Sequence, residues 1–270
     1  MNLKNWKEET DLITDSLWII GERDKSFGHS NVYHGNFIPQ IPRQFIKRFT
    51  DEGDLVVDVF NGSGTTLIEC RELKRFGIGV ELQPHIVELA TDIILGSKDD
   101  LMSELRPKLE DFNLKIIQGD STSKTVHEKV KNITEKINKK IKLLILHPPY
   151  WDIIKFSSDK EDLSNAESVE KFNEMMGKIV DNFLDLIEKN GHIVLVIADK
   201  YQNSQWVPLG FYCMQEILKR PEIILKSTIV KNMAGNRAKL NQEALWRYRA
   251  LAGGYYIFKH EYIFLFKKIK

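Results

Sequence analysis

The sequence is poor in the residues that build covalent or metal-bound frameworks. It has only two cysteines in 270 residues, Cys70 and Cys213, and they lie far apart. Because neither belongs to a Cys-x-x-Cys pair, we predict neither a disulfide framework nor a zinc site, and no metal ion.

Long hydrophobic runs and an excess of one charge are also missing. No apolar stretch approaches the roughly 20 residues that span a membrane. The N-terminal segment MNLKNWKEETDLITDSLW is charged throughout and lacks the apolar centre of a signal peptide. The formal net charge is only +1, so a nucleic-acid-binding surface would have to be a local basic patch. We therefore expect a cytoplasmic protein with no membrane segment.

From residue 54 onwards, apolar strands alternate with amphipathic helices, which is typical of a mostly parallel sheet with helices on both faces. No linker or internal repeat interrupts the pattern. We predict one α/β domain over residues 34–270, preceded by a packed extension or cap over residues 1–33. A long amphipathic helix should end at Gly191. The predicted strands are residues 54–60, 77–82, 114–120, 142–149, 192–199, 222–232 and 260–268.

A glycine turn follows the first of these strands, in the segment DVFNGSGTT (58–66). Gly62 and Gly64 allow the backbone to turn tightly and to approach a ligand, and the helix behind them offers free N–H groups to a negative group. Glu81 ends the next strand, where a carboxylate can accept both hydroxyls of a ribose, and Asp120 ends the third. These strand ends predict a nucleoside-containing cofactor. Alternatively, the glycines form a plain turn and the acids are helix caps.

The turn lacks the third glycine of the dinucleotide-binding pattern G-x-G-x-x-G, because Gly62 and Gly64 are followed by two threonines. A nicotinamide cofactor, and with it an oxidoreductase, is therefore disfavoured. S-adenosylmethionine needs a helix N-terminus for its carboxylate and an acid near its ammonium group, a place that Asp58 can take. We predict S-adenosylmethionine as the cofactor.

Two prolines end the fourth strand, in the segment LLILHPPYWD (143–152). Pro148 and Pro149 cannot donate to a strand ladder and fix their own φ angles, so they hold the carbonyl of Pro148 rigidly beside the predicted cofactor. Tyr150 offers a flat face on which a base can stack. Hydrogen bonds from an exocyclic amine to that carbonyl and to His147 would direct the nitrogen lone pair at a methyl donor. The plainer interpretation is a strand terminator beside an unrelated aromatic residue.

Together these motifs resemble those of the S-adenosylmethionine-dependent DNA amino-methyltransferases, which modify N4 of cytosine or N6 of adenine. The cofactor motif of that family is D-P-F-x-G-S-G-T-T and its catalytic motif is D/N/S-P-P-Y/F. This chain has DVFNGSGTT and HPPY in that order. Residues 34–50, HGNFIPQIPRQFIKRFT, are similar to the segment that caps the methionine end of the cofactor in the family. The similarity extends over most of the chain after residue 30.

The resemblance implies a Rossmann-like class I methyltransferase fold of the α/β type, with a mostly parallel seven-stranded sheet and a C-terminal antiparallel strand. It implies a site-specific DNA methyltransferase whose catalytic residues are His147, Pro148, Pro149 and Tyr150. It also implies cofactor contacts from the capping segment, the glycine turn and the strand ends, namely Phe37, Pro39, Asp58, Phe60, Gly62, Ser63, Gly64, Thr65, Thr66, Glu81, Leu82, Asp120 and Ser121.

The chain departs from the family at two motif positions: His147 stands where the family has Asp, Asn or Ser, and Val59 replaces the usual proline. A neutral imidazole can still accept a hydrogen bond from an amine and take up the released proton. The alternative is that His147 only packs while the Pro148 carbonyl polarises the amine. In the family an acid at this position goes mainly with adenine, whereas Ser-Pro-Pro-Tyr, often followed by Trp, goes mainly with cytosine. HPPYW has the Trp and no acid, so we favour N4 of cytosine.

A base stacked in a duplex must be flipped out to reach such a site. Tyr150 and Trp151 are candidate stacking platforms, and residues 231–256 interleave basic and aromatic residues with few acids. We expect an insertion around residues 232–253 to contact DNA, with a solvated amphipathic helix as the alternative. The candidate DNA contacts are Trp151, Lys231, Arg237, Lys239, Trp246, Arg247 and Arg249.

The chain has no room for a large separate recognition domain, so we expect recognition by loops, chiefly residues 152–166, 201–207 and 232–253. The predicted partners are DNA and, where the protein serves restriction–modification, a cognate restriction endonuclease. We expect a monomer or a homodimer.

Three other functions share parts of these motifs. Guanine-N2 methyltransferases of tRNA and glutamine methyltransferases of release factors also use a Pro-Pro-Tyr loop. They usually carry an RNA-binding domain or an N-terminal helical bundle, for which this chain has no room. The third is a catalytically silent nucleic-acid-binding partner subunit, in which His147 would reflect the loss of the catalytic residue. Such a subunit has little reason to keep the glycine turn, Glu81, Asp120 and the proline loop together.

Overall fold

The strands of this computed structural model form one large sheet and one small hairpin. The structure describes residues 3–30, 32–33, 35–96, 107–233 and 243–270. The strands within these ranges are β1 Leu17–Trp18, β2 Leu55–Asp58, β3 Phe76–Glu81, β4 Leu114–Gln118, β5 Ile141–Leu146, β6 Ile187–Ile197, β7 Lys200–Gln202, β8 Gln205–Val207, β9 Ile223–Asn232 and β10 His260–Lys268.

The large sheet has the strand order β1-β9-β10-β6-β5-β2-β3-β4, while β7 and β8 pair only with each other. The run from β6 to β4 is parallel throughout, and β10 lies antiparallel between β6 and β9. The predicted α/β fold with a mostly parallel sheet and an antiparallel C-terminal strand is confirmed. In the described residues β1 is an eighth strand where seven were expected. It comes from the N-terminal segment, with Leu17 paired to Val230, and two residues are too short for a sequence pattern to reveal.

Helices cover both faces of the sheet because its central strands are apolar on both sides. The helices are α1 Gln40–Phe49, α2 Thr65–Glu72, α3 Pro84–Leu95, α4 Lys124–Lys136, α5 Val169–Leu184, α6 Leu209–Leu218 and α7 Glu243–Gly253. Val56 and Leu143 face a core shared with α1, α2 and α3, whereas Val57 and Leu144 face a core shared with α4, α5 and α6. This alternation is the period of two expected along a strand. None of the described helices is long and apolar enough to cross a membrane.

The helix before β6 ends earlier than predicted. It ends at Leu184 rather than at Gly191, and β6 begins at Ile187. Ile187 already pairs with Ile141 of β5, before the register of the two strands shifts. The intervening residues, EKN, are polar and sit in this irregular part of the ladder. Their sequence therefore resembles the end of a helix more than the start of a strand.

The segment expected as an N-terminal extension packs onto the face of the sheet that α1, α2 and α3 cover. Trp18 is buried against Phe45 of α1, with ring centroids 5.5 Å apart. His29 lies 2.7 Å from the carboxylate of Glu69 in α2, which also accepts two hydrogen bonds from Arg43 of α1. A stacked aromatic pair and a buried polar network thus attach this segment to the helices that flank the glycine turn.

Candidate functional site

One large cavity opens at the edge of the sheet where the parallel strands β2, β3, β4 and β5 end. Its volume is about 970 Å³, at the upper end of the range of about 300–1,000 Å³ usual for small-molecule and cofactor sites. Residues that follow each of these strands form part of its wall, as expected for an α/β sheet of this type. The sequence-predicted site residues on the wall are Phe37, Phe60, Gly62, Thr65, Glu81, Leu82, Asp120, Ser121, His147, Pro148, Pro149, Tyr150 and Lys231.

A buried carboxylate organises the glycine turn after β2. Asp58 is 1% exposed and accepts hydrogen bonds from the backbone N–H of Phe60, at 2.9 Å, and from the hydroxyl of Thr66. Burial raises the pKa of Asp58 to about 6, against the opposing effect of these hydrogen bonds. The carboxylate lies behind the cavity wall. The geometry therefore assigns Asp58 to holding the turn rather than to direct contact with a ligand.

Gly64 lets the turn pass directly into α2. Its φ angle of 86° lies in the left-handed region that favours glycine, and a Cβ atom there would lie 2.8 Å from the side chain of Ile94. The next residue, Thr65, begins α2 and lies on the cavity wall. The N-terminus of this helix, with its free N–H groups, is thus at the cavity, where it can receive an anionic group.

Glu81, at the end of β3, joins that strand end to the glycine turn. One carboxylate oxygen accepts the N–H of Gly62 at 2.9 Å, and the other accepts the N–H of Gln83 at 3.0 Å. Burial raises the pKa of Glu81. A carboxylate has about four acceptor positions, so Glu81 keeps unused acceptor capacity at the cavity wall, where it can bind the hydroxyls of a ligand.

The residues after β4 complete this side of the cavity. Asp120 accepts the N–H of Thr122 at 2.8 Å, and the Ser121 hydroxyl donates to the carbonyl of Val59 at 2.8 Å. The second bond ties the end of β4 to the turn after β2. Leu82 adds an apolar surface beside these polar groups.

The segment before α1 closes the cavity from a third direction. The rings of Phe37 and His147 pack in a T-shaped arrangement, with centroids 4.6 Å apart and planes at 90°. The Ser63 hydroxyl donates to the side-chain oxygen of Asn36 at 2.8 Å, which links the segment to the glycine turn. Pro39 is the residue before α1 and lies behind the wall. The predicted capping segment thus reaches the cavity through Gly35, Asn36, Phe37 and Ile38.

The proline loop after β5 carries His147 and Tyr150 on the cavity wall. The strand ends at Leu146, because the two prolines that follow have no N–H to continue the ladder. The Tyr150 hydroxyl donates to Glu261 at 2.8 Å, and Nε2 of His147 lies 3.3 Å from the same hydroxyl oxygen. His147, Tyr150 and Glu261 therefore form one chain of hydrogen bonds.

Glu261 of β10 was not identified from the sequence, and Lys231 of β9 has a different position from the one expected. The two residues face each other across the antiparallel ladder, with Nζ of Lys231 2.7 Å from the Glu261 carboxylate. They are 7% and 6% exposed. Lys231, expected to contact DNA, is instead an interior residue of the cavity wall. In the sequence, each of these residues is a charged residue near one end of an apolar strand. That they form a pair follows only from the register in which β9 and β10 lie side by side.

Burial lowers the pKa of His147 to about 4, against an opposing rise caused by Glu261. The imidazole is therefore neutral at physiological pH, with one nitrogen as donor and the other as acceptor. Burial, together with Glu261, raises the pKa of Tyr150, which stays protonated. This part of the cavity can hold a neutral amine through hydrogen bonds, and its imidazole does not store a proton near pH 7.

Trp151 lies outside the cavity wall and is engaged by the protein. Its indole N–H donates to the carbonyl of Ala166 at 2.8 Å, and Nζ of Lys200 lies over its ring, 4.3 Å from the centroid. Lys200 is in turn paired with Asp152. This arrangement fixes the loop after Tyr150, and it leaves Tyr150 as the aromatic residue of the proline loop that faces the cavity.

The remaining candidates for DNA contact are in or near α7. Arg247 and Arg249 are exposed on this helix, and the Arg249 guanidinium lies over the ring of Trp246, 5.3 Å from its centroid. Arg237 and Lys239 lie outside the residues that the structure describes. The arginines of α7 do not line the cavity, so they belong to an outer surface.

Several wall residues carry no sequence signal. Tyr33 and Phe156 approach each other with ring centroids 6.1 Å apart, and burial raises the pKa of Tyr33. Asp162 is buried on the wall, while Ile153 and Ile154 are about half exposed there. These residues come from irregular segments, where no periodicity distinguishes a buried side chain from an exposed one.

Comparison with known sequences connects the chain with DNA methyltransferases. A family model for N6/N4 methyltransferases, described as DNA methylase, matches residues 1–92. The Type II methyltransferase M.MjaII of Methanocaldococcus jannaschii is 26% identical over 250 residues, covering 86% of this chain and 43% of that protein. M.MjaI of the same organism is 38% identical over 83 residues, 30% of this chain and 26% of that protein. The chain thus spans less than half the length of these relatives.

Among solved structures, TrmN from Thermus thermophilus matches this chain with a TM-score of 0.55 at 13% sequence identity. The match covers 91% of this chain and 53% of TrmN. A similarity at this level of identity concerns the fold. It agrees with the class I methyltransferase architecture expected from the sequence.

Proposed function

We propose that this chain, a relative of the DNA amino-methyltransferases, transfers a methyl group from S-adenosylmethionine to an exocyclic amine of a DNA base. One observation carries the proposal. The glycine turn and the proline loop, which are far apart in sequence, line a single cavity of about 970 Å³ at the strand ends. A cavity of this size suits a nucleoside cofactor with a base beside it.

The residues of the glycine-turn side fit S-adenosylmethionine. Glu81 has free acceptor positions for ribose hydroxyls, the N-terminus of α2 at Thr65 can receive the carboxylate, and Asp120 can accept from the adenine amine. Phe60 and Leu82 offer apolar surface for the adenine ring. When bound, the cofactor would supply a sulfonium methyl group: the amine nitrogen would form the new N–CH3 bond as the S–CH3 bond breaks, with S-adenosylhomocysteine as the leaving group. The released N–H proton would pass to solvent water.

His147 and the Pro148 carbonyl would hold the target amine. The neutral imidazole accepts one N–H and the carbonyl accepts the other, which draws the nitrogen lone pair out of conjugation with the base ring. No backbone N–H of the described residues donates to the Pro148 carbonyl, so this acceptor is available. Rigid placement of the amine lowers the barrier because the reacting atoms need no further ordering.

We infer N4 of cytosine as the target rather than N6 of adenine. The support is the chemistry at position 147, where a neutral imidazole replaces the acid that goes with adenine in the resembling family. The ring of Tyr150 would stack against the flipped base.

The outer surface of α7 and the β7–β8 hairpin is the proposed contact with the DNA backbone. Tyr201 stacks on Tyr255 and Trp206 packs on Phe258, each pair with centroids 4.1 Å apart. These contacts attach the hairpin to the segment that follows α7. Two exposed arginines of α7 can then bind phosphates beside the cavity. The name Type II methyltransferase of the matched relatives supports a companion restriction endonuclease as a partner of this chain.

The test is methyl transfer by the purified protein. We expect unmethylated DNA incubated with S-adenosylmethionine labelled in its methyl group to become labelled, and nucleoside mass spectrometry to identify N4-methylcytosine. N6-methyladenine as the sole product would overturn the inference about the base. Labelling of tRNA or protein but not DNA would overturn the substrate class. A folded protein that transfers no label to any of these would overturn the proposal.

A matched variant separates the two halves of the cavity. Tyr150→Ala should bind S-adenosylmethionine in calorimetry as the parent does. It should lose about tenfold or more of the transfer rate, because base–aromatic stacking contributes about 1–3 kcal/mol. An unchanged rate would contradict the stacking role of Tyr150.

A further inference from the structure

We propose that Glu261, held by Lys231, is a positioning residue that fixes the direction of the hydrogen bonds through Tyr150, so that His147 presents its Nδ1 atom as an acceptor to the substrate amine. This inference rests on the proposed function for its catalytic meaning. Its structural part, the protonated nitrogen of His147, can be tested without any substrate.

The first step is the pairing of Glu261 with Lys231. The carboxylate lies directly opposite Lys231 in the β9–β10 register, 2.7 Å from its ammonium group, and both are almost fully buried. A lysine ammonium has three donors and no acceptor. The carboxylate of Glu261 beside it therefore accepts hydrogen bonds and has none to donate.

The second step is the direction of the Tyr150 hydroxyl. Its single hydrogen is donated to Glu261 at 2.8 Å, since Glu261 has no hydrogen to offer in return. The hydroxyl oxygen can then only accept from the next group in the chain. That group is Nε2 of His147, at 3.3 Å, which must carry the imidazole hydrogen.

The third step follows for the other ring nitrogen. A neutral imidazole with its hydrogen on Nε2 has a lone pair on Nδ1. The imidazole packs at right angles to the ring of Phe37 and lines the cavity, and within the described residues Nδ1 makes no hydrogen bond of its own. With the hydrogen on Nδ1 instead, the same atom would repel the N–H of the amine that it should accept.

An isosteric change at Glu261 reverses this chain. In Glu261→Gln the amide oxygen must face Lys231, which needs an acceptor, so the amide NH2 group faces Tyr150 as a donor. The Tyr150 hydroxyl then accepts from the amide and donates to Nε2 of His147, which moves the imidazole hydrogen to Nδ1. The volume of the side chain hardly changes, so the effect acts through hydrogen-bond direction.

A second change restores the direction. In the double variant Lys231→Met/Glu261→Gln nothing requires the amide oxygen to face position 231. The amide can turn, place its oxygen toward Tyr150 and again accept the hydroxyl hydrogen. The double variant also removes both buried charges together, which is tolerated far better than removing one partner.

The experiment combines nitrogen NMR with single-turnover kinetics. The ¹⁵N shifts of the imidazole, assigned by comparison with His147→Asn, should report the hydrogen on Nε2 in the parent, on Nδ1 in Glu261→Gln, and on Nε2 in the double variant. Glu261→Gln should lower the single-turnover rate about 100-fold, the lower end of the loss caused by removing one preorganised hydrogen-bonding group. Its affinity for S-adenosylmethionine should stay within about twofold of the parent. The double variant should recover at least half of the lost rate on a logarithmic scale.

The outcomes separate this inference from the proposed function. An unchanged tautomer in Glu261→Gln, or no recovery in the double variant, would overturn the inference even if the parent methylates DNA. If the parent and both variants show the expected tautomers but the parent methylates nothing, the positioning of His147 by Glu261 is supported and the proposed function is overturned. If Glu261→Gln does not fold, Tyr150→Phe removes the same link. It should then leave a mixture of both tautomers at His147, and a pure Nε2 tautomer there would contradict the inference.

Discussion

The two halves of the cavity are built in different ways. In the glycine-turn half, Asp58 and Glu81 accept hydrogen bonds from partners at most 19 positions away in the sequence. In the proline-loop half, Tyr150 is bound to Glu261, 111 positions away, and Glu261 to Lys231, 30 positions away. The two carboxylates of the first half are thus held by residues near them in sequence, although Ser121 also bonds to Val59, 62 positions away. The hydrogen-bond chain of the second half is brought together by the order and register of strands.

This difference determines how each half can fail. The glycine-turn half relies on backbone N–H groups and on a tight path of the chain, so extra atoms should damage it. The proline-loop half relies on side chains from the loop after β5 and from strands β9 and β10. It should therefore be sensitive to changes in hydrogen-bond direction and in charge that leave the side-chain volume constant.

The largest effect that we expect is a loss of cofactor affinity, caused by one methyl group added beneath the glycine turn. In Gly79→Ala the new Cβ would lie 2.6 Å from Cγ of Asn61, a residue of the turn. Overpacking of this kind costs about 1–3 kcal/mol of stability. A displacement of the glycine turn would relieve the clash and so disturb the cofactor side of the cavity. We expect calorimetry to show affinity for S-adenosylmethionine weakened about 10- to 100-fold. Gly21→Ala, with no atom within 4 Å of its added Cβ, is the control. Equal affinity of the two variants would contradict the steric argument.

The same comparison explains what the sequence could predict. The apolar runs and the glycine turn identified β2 to β6, and Glu81 and Asp120 at their ends, because these signals are local. The partnership of Lys231 with Glu261 could not be predicted, because it depends on the register of two antiparallel strands separated by α7. The position of Asp58 behind the wall depends on the path of the turn, which the residue types alone do not define.

We expect a smaller effect, on DNA binding, from changes to the outer surface of α7, which belongs to neither half of the cavity. Arg247→Gln with Arg249→Gln should weaken DNA binding about two- to fivefold per arginine, as exposed charges do. The slope of log affinity against log salt should fall by about two, and the affinity for S-adenosylmethionine should not change. The control removes Lys129 and Lys136, exposed lysines of α4, a helix with no residue on the cavity wall. An equal loss of slope in the control would mean that α7 has no special role.

The smallest effect expected is that of pH on His147, and it sharpens the contrast between the halves. Because burial lowers the pKa of His147 to about 4, the neutral imidazole is present above that value and is lost only as the pH falls through it. Asp58, in the other half, has its pKa raised to about 6, so changes in cofactor affinity near pH 6 belong to the glycine turn. With saturating cofactor, the ratio of single-turnover rates of the parent and His147→Asn should therefore stay within about twofold between pH 6 and pH 8. An imidazole with the ordinary pKa of about 6.5 would lower that ratio about fourfold at pH 6, and such a fall would show that His147 exchanges protons with solvent in the working range.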